Sequence, residues 1–316
     1  EFCEMIILNR IEIDIRGLAL DIIEAGIKSV LPFNLLKSAL RYDSKRKILQ
    51  VQGDLFDLSG RRVFVIGGGK ASGAMAKALE EILPLEIITD GVVNSVSSSE
   101  TYRIYVQKAS HPEPDRSGMD GVRKMLALKN TYKIGKDDLV ICLISGGGSA
   151  LLPMPVEGVS LEDKQQITRL LLKSGAEINE INTVRKHLSQ IKGGQLGKYM
   201  SPATVISLII SDVIGNDLEA IASGPTVPDT STFDDAFRIL STYNLWDDTR
   251  VPESIRQYIR EGKAGRKSET PRNLTNCKNY IIGDNSTFKI AIYYRCYLES
   301  FYIIVDKYVI SNYNIL

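Results

Sequence analysis

In the stretch 63-VFVIGGGKASGAMAKAL-79, an apolar run of strand length meets three glycines and then Lys70, after which a helical pattern begins. Glycines at such a junction let backbone N–H groups approach an anion, and a lysine beside them supplies a point charge for a phosphate. Two familiar templates nevertheless fail. A Walker-type loop needs a glycine at Phe64 and a Ser or Thr at Ala71. The dinucleotide fingerprint fits Gly67 and Gly69 but meets Ser72, one residue ahead of Gly73. The expectation is an anion-binding loop of Gly67, Gly68 and Gly69 that aims Lys70 at a reacting group.

A second loop, 144-ISGGGSALL-152, brackets Gly146, Gly147 and Gly148 with the hydroxyls of Ser145 and Ser149. A tight strand-to-helix turn would use the same glycines. Two such loops in one chain, one with a lysine and one with serines, favour a polyanionic ligand, with the helix start adding its positive dipole end. A third cluster closes 177-EINEINTVRKHLSQIKGGQLGKYM-200. There Ile178, Ile181, Val184, Leu188 and Ile191 form an apolar stripe at helical spacing. Asn182, Arg185, Lys186 and Ser189 lie off the stripe, and Lys192-Gly193-Gly194 follows. Charges on one helix usually form a solvated face. The adjoining lysine–glycine cluster favours a ligand instead, with Arg185 suited to bidentate carboxylate or phosphate binding.

In 207-SLIISDVIGNDLEAIASGPTVPD-229, Asp212 follows a buried-strand pattern and Asp217 a Gly-Asn turn. A carboxylate at a strand end beside phosphate loops suits Mg²⁺, usually through waters. Asp217 equally suits a helix cap. The chain has two histidines. His187 sits within the helical pattern and receives no role. His111 precedes Pro112 in a loop and suits either a substrate contact or a turn. With two histidines, a His-rich metal site is excluded and a Ser-His-Asp triad has little to draw on.

These segments need a frame. A helical pattern fills 12–30, and apolar runs recur at 63–67, 87–93, 103–109, 138–145, 203–211 and 279–283, mostly followed by turns and helical patterns. Near-continuous apolar strands alternating with helices predict an α/β fold, a Rossmann-like, mostly parallel sheet with helices on both faces. Such sheets bind ligands beyond the carboxyl ends of their strands. HPEPD (111–115) and GPTVPD (224–229) read as rigid turns that open helices, and Ser231 and Thr232 stand at capping-box distance from Asp234 and Asp235.

Composition sets the outer limits. The 316 residues are 44% hydrophobic and 24% charged, with net charge +1, so nothing argues for a nucleic-acid or membrane partner. The cysteines, Cys3, Cys142, Cys277 and Cys296, form no CxxC pair, and Cys142 reads as a small core residue. No run of eighteen apolar residues occurs, which makes a cytoplasmic protein the expectation.

Taken together, GGGKASGAMA, HPEPD, DLVICLISGGGSALLPMP, GAEINEINTVRKHLSQIKGGQL and LIISDVIGNDLEAIASGPTVPDTST resemble the glycerate 2-kinase family, whose C-terminal part is the MOFRL domain. The resemblance runs from about residue 10 to about residue 285. It implies a transferase of carbohydrate metabolism that moves the γ-phosphate of ATP, with Mg²⁺, to the 2-hydroxyl of D-glycerate. It also implies a large Rossmann-like domain at 1–270 and a smaller α/β domain with the substrates in the cleft between them. On it, Lys70 meets the transferred phosphoryl group or the substrate, and Ser145–Ser149 cradle phosphate. Arg185 and Lys192, beside Gly193, meet glycerate carboxylate or phosphate, and Asp212 meets the metal or orients the hydroxyl. The family's second domain carries Gly-Gly-Glu-Thr and Gly-Gly-Arg-Asn-Gln-Glu type motifs. Residues 271–316 hold neither, so the expectation there is an incomplete second domain, with a helix near 286–299 and a strand at 301–305. Its exposed apolar surface would favour association, a homodimer included.

Two rival readings remain. An NAD(P)-dependent hydroxypyruvate reductase would use Gly67 and Gly69 for pyrophosphate and Asp90, about twenty residues on, for the ribose. A nucleotide-binding fragment without activity would keep the loops and lack turnover.

Overall fold

The computed structural model describes residues 15–287 together with Lys289 and Ile290. Six parallel strands form one sheet: β4 (Val63–Gly68), β5 (Ile88–Ser95), β6 (Ile104–Lys108), β7 (Leu139–Ser145), β8 (Thr204–Ile210) and β9 (Cys277–Gly283). Their spatial order is β6-β5-β4-β7-β8-β9. Numbered within the sheet this is 3-2-1-4-5-6, the doubly wound order. All residues of β4 and β7 are buried, which explains their unbroken apolar character: both faces are covered. One face packs against helices α2 (Pro32–Ala39) and α3 (Ser72–Ile82) through Leu35, Leu36, Met75 and Leu79. The other packs against α4 (Arg116–Tyr132) through Val122 and Met125.

The order reverses at β4 and β7. Strands β5 and β6 lie on one side of this pair, β8 and β9 on the other. The two glycine loops leave from the carboxyl ends of these two strands, where the crossovers diverge and open a crevice. Their closeness requires glycine: a Cβ on Gly69 would lie 2.2 Å from Ser145 Oγ. Lys70 N–H donates to Gly146 O at 2.8 Å, and Ala71 N–H donates to Ser145 Oγ at 2.9 Å. Ser72, the residue that breaks the dinucleotide fingerprint, donates its hydroxyl to Leu143 O at 3.1 Å. The loops therefore spend much of their special geometry on each other.

Strand β9 falls within 271–316, where a second unit is expected. In the structure it is the sixth strand of the sheet, in register with β8 from Val205↔Cys277 to Ile209↔Ile281. A three-stranded antiparallel sheet at 40–57, which the sequence reading did not find, backs its edge. Lys278 and Tyr280 of β9 reach Asp54 there, and Gln52 Nε2 donates to Ile281 O at 2.8 Å. The helix and strand expected near 286–305 lie, from residue 291 on, outside the described residues.

A third core stands apart from the sheet. Helices α6 (Leu161–Lys173) and α7 (Ile178–His187) follow β7, while α9 (Phe233–Thr242) and α10 (Glu253–Lys263) follow β8. They pack through Ile167, Leu171, Ile181, Val184, Leu240, Ile255 and Ile259. Ile178, expected in the apolar stripe, is exposed at the first turn of α7. Side-chain caps fix the helix starts: Ser160 with Asp163, Thr232 with Asp235, and Asp115 on Gly118 N–H. This helical group hangs from the carboxyl edge of the sheet and carries half of the site.

Candidate active site

The first half of the site is the loop pair. Lys70 Nζ lies 3.9 Å from Asp212 Oδ2, and both side chains are about half exposed. Gly146 makes room for that carboxylate, since a Cβ there would lie 2.1 Å from Asp212 Oδ2. Gly147 holds φ +81°, and a Cβ on it would meet the His111 ring at 2.9 Å and Lys70 Cγ at 3.1 Å. Lys70, Asp212, Gly146, Gly147 and His111 thus converge beyond the ends of β4, β7 and β8. The helix after the second loop, α5 (Gly148–Leu151), is a single turn, so the dipole expected there is short-ranged and small.

The second half is a cavity of about 380 Å³ under the helical group. It shares Gly147 and His111 with the loop pair and continues past Ser149 to Arg185, Lys192 and Lys164. Lys192 is 1% exposed, and its ammonium donates to Ala222 O at 3.3 Å. Burial, with the Arg185 charge beside it, pushes the Lys192 ammonium down to about 7. Lys164 donates to Leu188 O at 3.0 Å, and burial together with the Lys192 and Arg185 charges holds it well below the usual lysine range. Burial also lowers Arg185, which stays a cation at any ordinary pH.

A strained turn braces this pocket. Ala222 and Ser223 hold φ +53° and +60°, a left-handed pair without glycine. Each such residue costs of order 1–3 kcal/mol and persists only where surrounding bonds enforce it. Here Ser223 Oγ meets Ser149 Oγ at 2.9 Å and donates to Asn182 Oδ1 at 3.1 Å. The turn aims the Ala222 carbonyl at Lys192.

Several expected site residues lie elsewhere. Gly67 and Gly68 are the last two residues of β4, buried and paired with β5 and β7. Gly193 ties its turn to Ser223 through N–H to O at 2.9 Å. Asp217 accepts from Glu219 N–H at 2.9 Å and lines a separate polar depression with Lys186 and Glu219. Lys186 is buried against Glu219 and Asp229, at 2.9 and 3.1 Å. His187 is also buried, between Thr183 O and Glu269, so these residues form no solvated face. Cys142 is a core residue whose thiol burial pushes up to about 12. Asp90 pairs with Phe64, three residues before Gly67, and is held by Tyr132 OH at 2.8 Å. It therefore sits toward the amino end of the strands, away from the glycine loops.

The sequence reading missed Lys164. Its signal was position: Leu161, Lys164, Ile167 and Leu171 share one helical stripe, and a lysine there must be buried.

The family model described as domain of unknown function DUF4147 matches residues 18–260. The chain belongs to that family. It is 47% identical over 279 residues to a Pyrococcus horikoshii protein named glycerate 2-kinase, covering 87% of this chain and 61% of the relative. The crystal structure of a Thermotoga maritima glycerate kinase superposes with a TM-score of 0.75 at 37% identity, covering 90% of this chain and 62% of that one. An Agrobacterium vitis protein named putative hydroxypyruvate reductase is 44% identical over 216 residues, 67% of this chain and 46% of the relative. The chain thus spans about three-fifths of the length of the kinases that it matches. Among the described residues, no helix is long and apolar enough to cross a membrane.

Proposed function

We propose that this chain carries the phosphoryl-transfer site of a D-glycerate 2-kinase, which moves the γ-phosphate of ATP to the 2-hydroxyl and yields 2-phosphoglycerate and ADP. One observation carries the reading: a pocket lined by Arg185, Lys192, Lys164 and Arg169 opens, through Gly147 and His111, onto Lys70 and Asp212. Phosphoryl transfer asks a protein mainly for positioning and charge neutralisation. The cation pocket supplies a seat for an acid, and the loop pair supplies a cation and a carboxylate at its mouth.

In this mechanism Arg185 and Lys192 hold the acid. Asp212 orients the 2-hydroxyl and accepts its proton as the oxygen attacks phosphorus. Lys70 neutralises charge on the transferred group, and Ser149 steadies the pocket wall through its bond to Ser223. Among the described residues no group of three or more His, Cys, Asp or Glu is gathered as a metal cage. Mg²⁺ keeps waters and substrate phosphates around one or two carboxylates, and the half-exposed Asp212 beside Lys70 offers one. Asp212 would hold it, and the ion would supply charge neutralisation on the phosphate oxygens. Asp217, engaged with Glu219 N–H, does not share that place.

The reductase reading needs a ribose acceptor at the glycine loop, and Asp90 lies at the other end of its strand. The test is turnover of D-glycerate with ATP and magnesium, on this chain and on one extended to the relatives' length, with ³¹P NMR to identify the phosphorylated carbon. Stabilisation by NADH and none by ATP, with no ADP formed by either chain, would refute the proposal.

A further inference from the structure

The fold supplies partners to some buried cations and withholds them from others. Lys186 is met by Glu219 and Asp229. The guanidinium of its half-buried neighbour Arg185 has no hydrogen bond or ion pair to any described residue. Lys192 and Lys164 reach only the carbonyls of Ala222 and Leu188. The pocket's other cation, Arg169, lies 3.6 Å from Glu113 and is already matched. Three cations without a carboxylate, walled by Ala150, Pro153 and Leu161, are costly unless an anion from outside joins them.

We propose that Lys164 is the third cation of this subsite, and that Arg185, Lys192 and Lys164 together hold the carboxylate of the acceptor acid. This inference rests on the kinase reading above. The chemistry fits a carboxylate: the Arg185 fork matches two coplanar oxygens, and two ammonium groups complete their lone pairs. The pocket meets the loop pair at Gly147 and His111, so a short acid seated by its carboxylate presents its hydroxyl toward Lys70 and Asp212. Lys164 makes the site selective for 2-hydroxy acids over neutral polyols, because a neutral ligand leaves the three charges unmatched.

The test uses Lys164→Met and Lys164→Arg, with calorimetric binding of D-glycerate, glycolate and glycerol and with steady-state turnover. Lys164→Met should weaken D-glycerate and glycolate binding, and raise the KM for D-glycerate, by about tenfold or more, with kcat and the KM for ATP held within about twofold. Lys164→Arg should recover part of the affinity, and glycerol should bind weakly to all forms. Unchanged acid affinity, or an equal rise in the KM for ATP, overturns the proposal. A large drop in melting temperature for Lys164→Met also overturns it, because that result would make Lys164 a brace of the ligand-free fold through Leu188 O. If the wild type binds 2-hydroxy acids through Lys164 yet phosphorylates none, the kinase reading fails and the subsite stands.

Discussion

Replacing Lys192 with methionine should stabilise the ligand-free chain, and the gain should vanish at alkaline pH. The ammonium is 1% exposed, lacks a carboxylate partner and is pushed from the ordinary 10.5 to about 7. A base whose folded value is depressed binds more protons in the unfolded chain across the window between those values, so stability rises with pH there. At about pH 8 the cost of folding with this lysine is of order 3 kcal/mol, falling below about 1 kcal/mol near pH 10. The bond to Ala222 O returns about 1 kcal/mol. Methionine keeps the unbranched stem and removes the charge. The net expectation is a gain of about 2 kcal/mol at about pH 8 and none near pH 10. Urea unfolding of both forms at the two pH values reads it directly. Midpoints that stay parallel across pH, or a variant weaker than wild type at the lower pH, would refute the reasoning. Either result would mean that the folded chain compensates the charge in a way that the Ala222 bond does not explain.

Other outcomes follow from the same geometry. Lys70→Ala and Asp212→Asn should each lower kcat by about 10²–10³-fold in a glycerate-dependent ADP assay, with a smaller change in KM. Gly69→Ala drives a Cβ to 2.2 Å from Ser145 Oγ and 2.6 Å from its carbonyl, so it should cost about 3 kcal/mol or more in thermal unfolding. Asp138 is gripped by Arg62 through two 2.8 Å bonds; burial works against its charge, but that bond and Gly135 N–H hold it below the ordinary range. Its contribution is therefore complete above about pH 4 and lost as pH falls through the lowered value, so Asp138→Asn should cost about 2 kcal/mol at neutral pH and flatten the acid limb of unfolding. Asp217→Asn keeps an acceptor for Glu219 N–H and should leave turnover within about twofold.

Much of the frame was legible locally. All six strands of the sheet lie within the apolar runs or overlap them, because a strand buried on both faces must be apolar throughout. The caps at Asp115 and Thr232 were legible too, since a cap spans three residues. The antiparallel strands at 40–57 were not, because LRYD, ILQV and DLFD are four residues each and every one is interrupted by polar residues. Nor was the membership of β9, because strand order in a sheet is decided by crossovers that span the whole chain.

The sequence by itself determined the α/β frame, the two glycine loops and the cations Lys70, Arg185 and Lys192, since residue type and local periodicity carry those. It could not say what each glycine faces or which charge finds a partner. The tertiary structure decided that Gly69 lies against Ser145, so closely that a Cβ there would meet its hydroxyl. It also decided that Lys186 is neutralised by Glu219 and Asp229 while Arg185, one residue away, is not. The reason is physical: a helix turns by about 100° per residue, so adjacent side chains meet different walls. Only the packing of α6 against α7 brings Lys164, some twenty residues earlier, to the unmatched side.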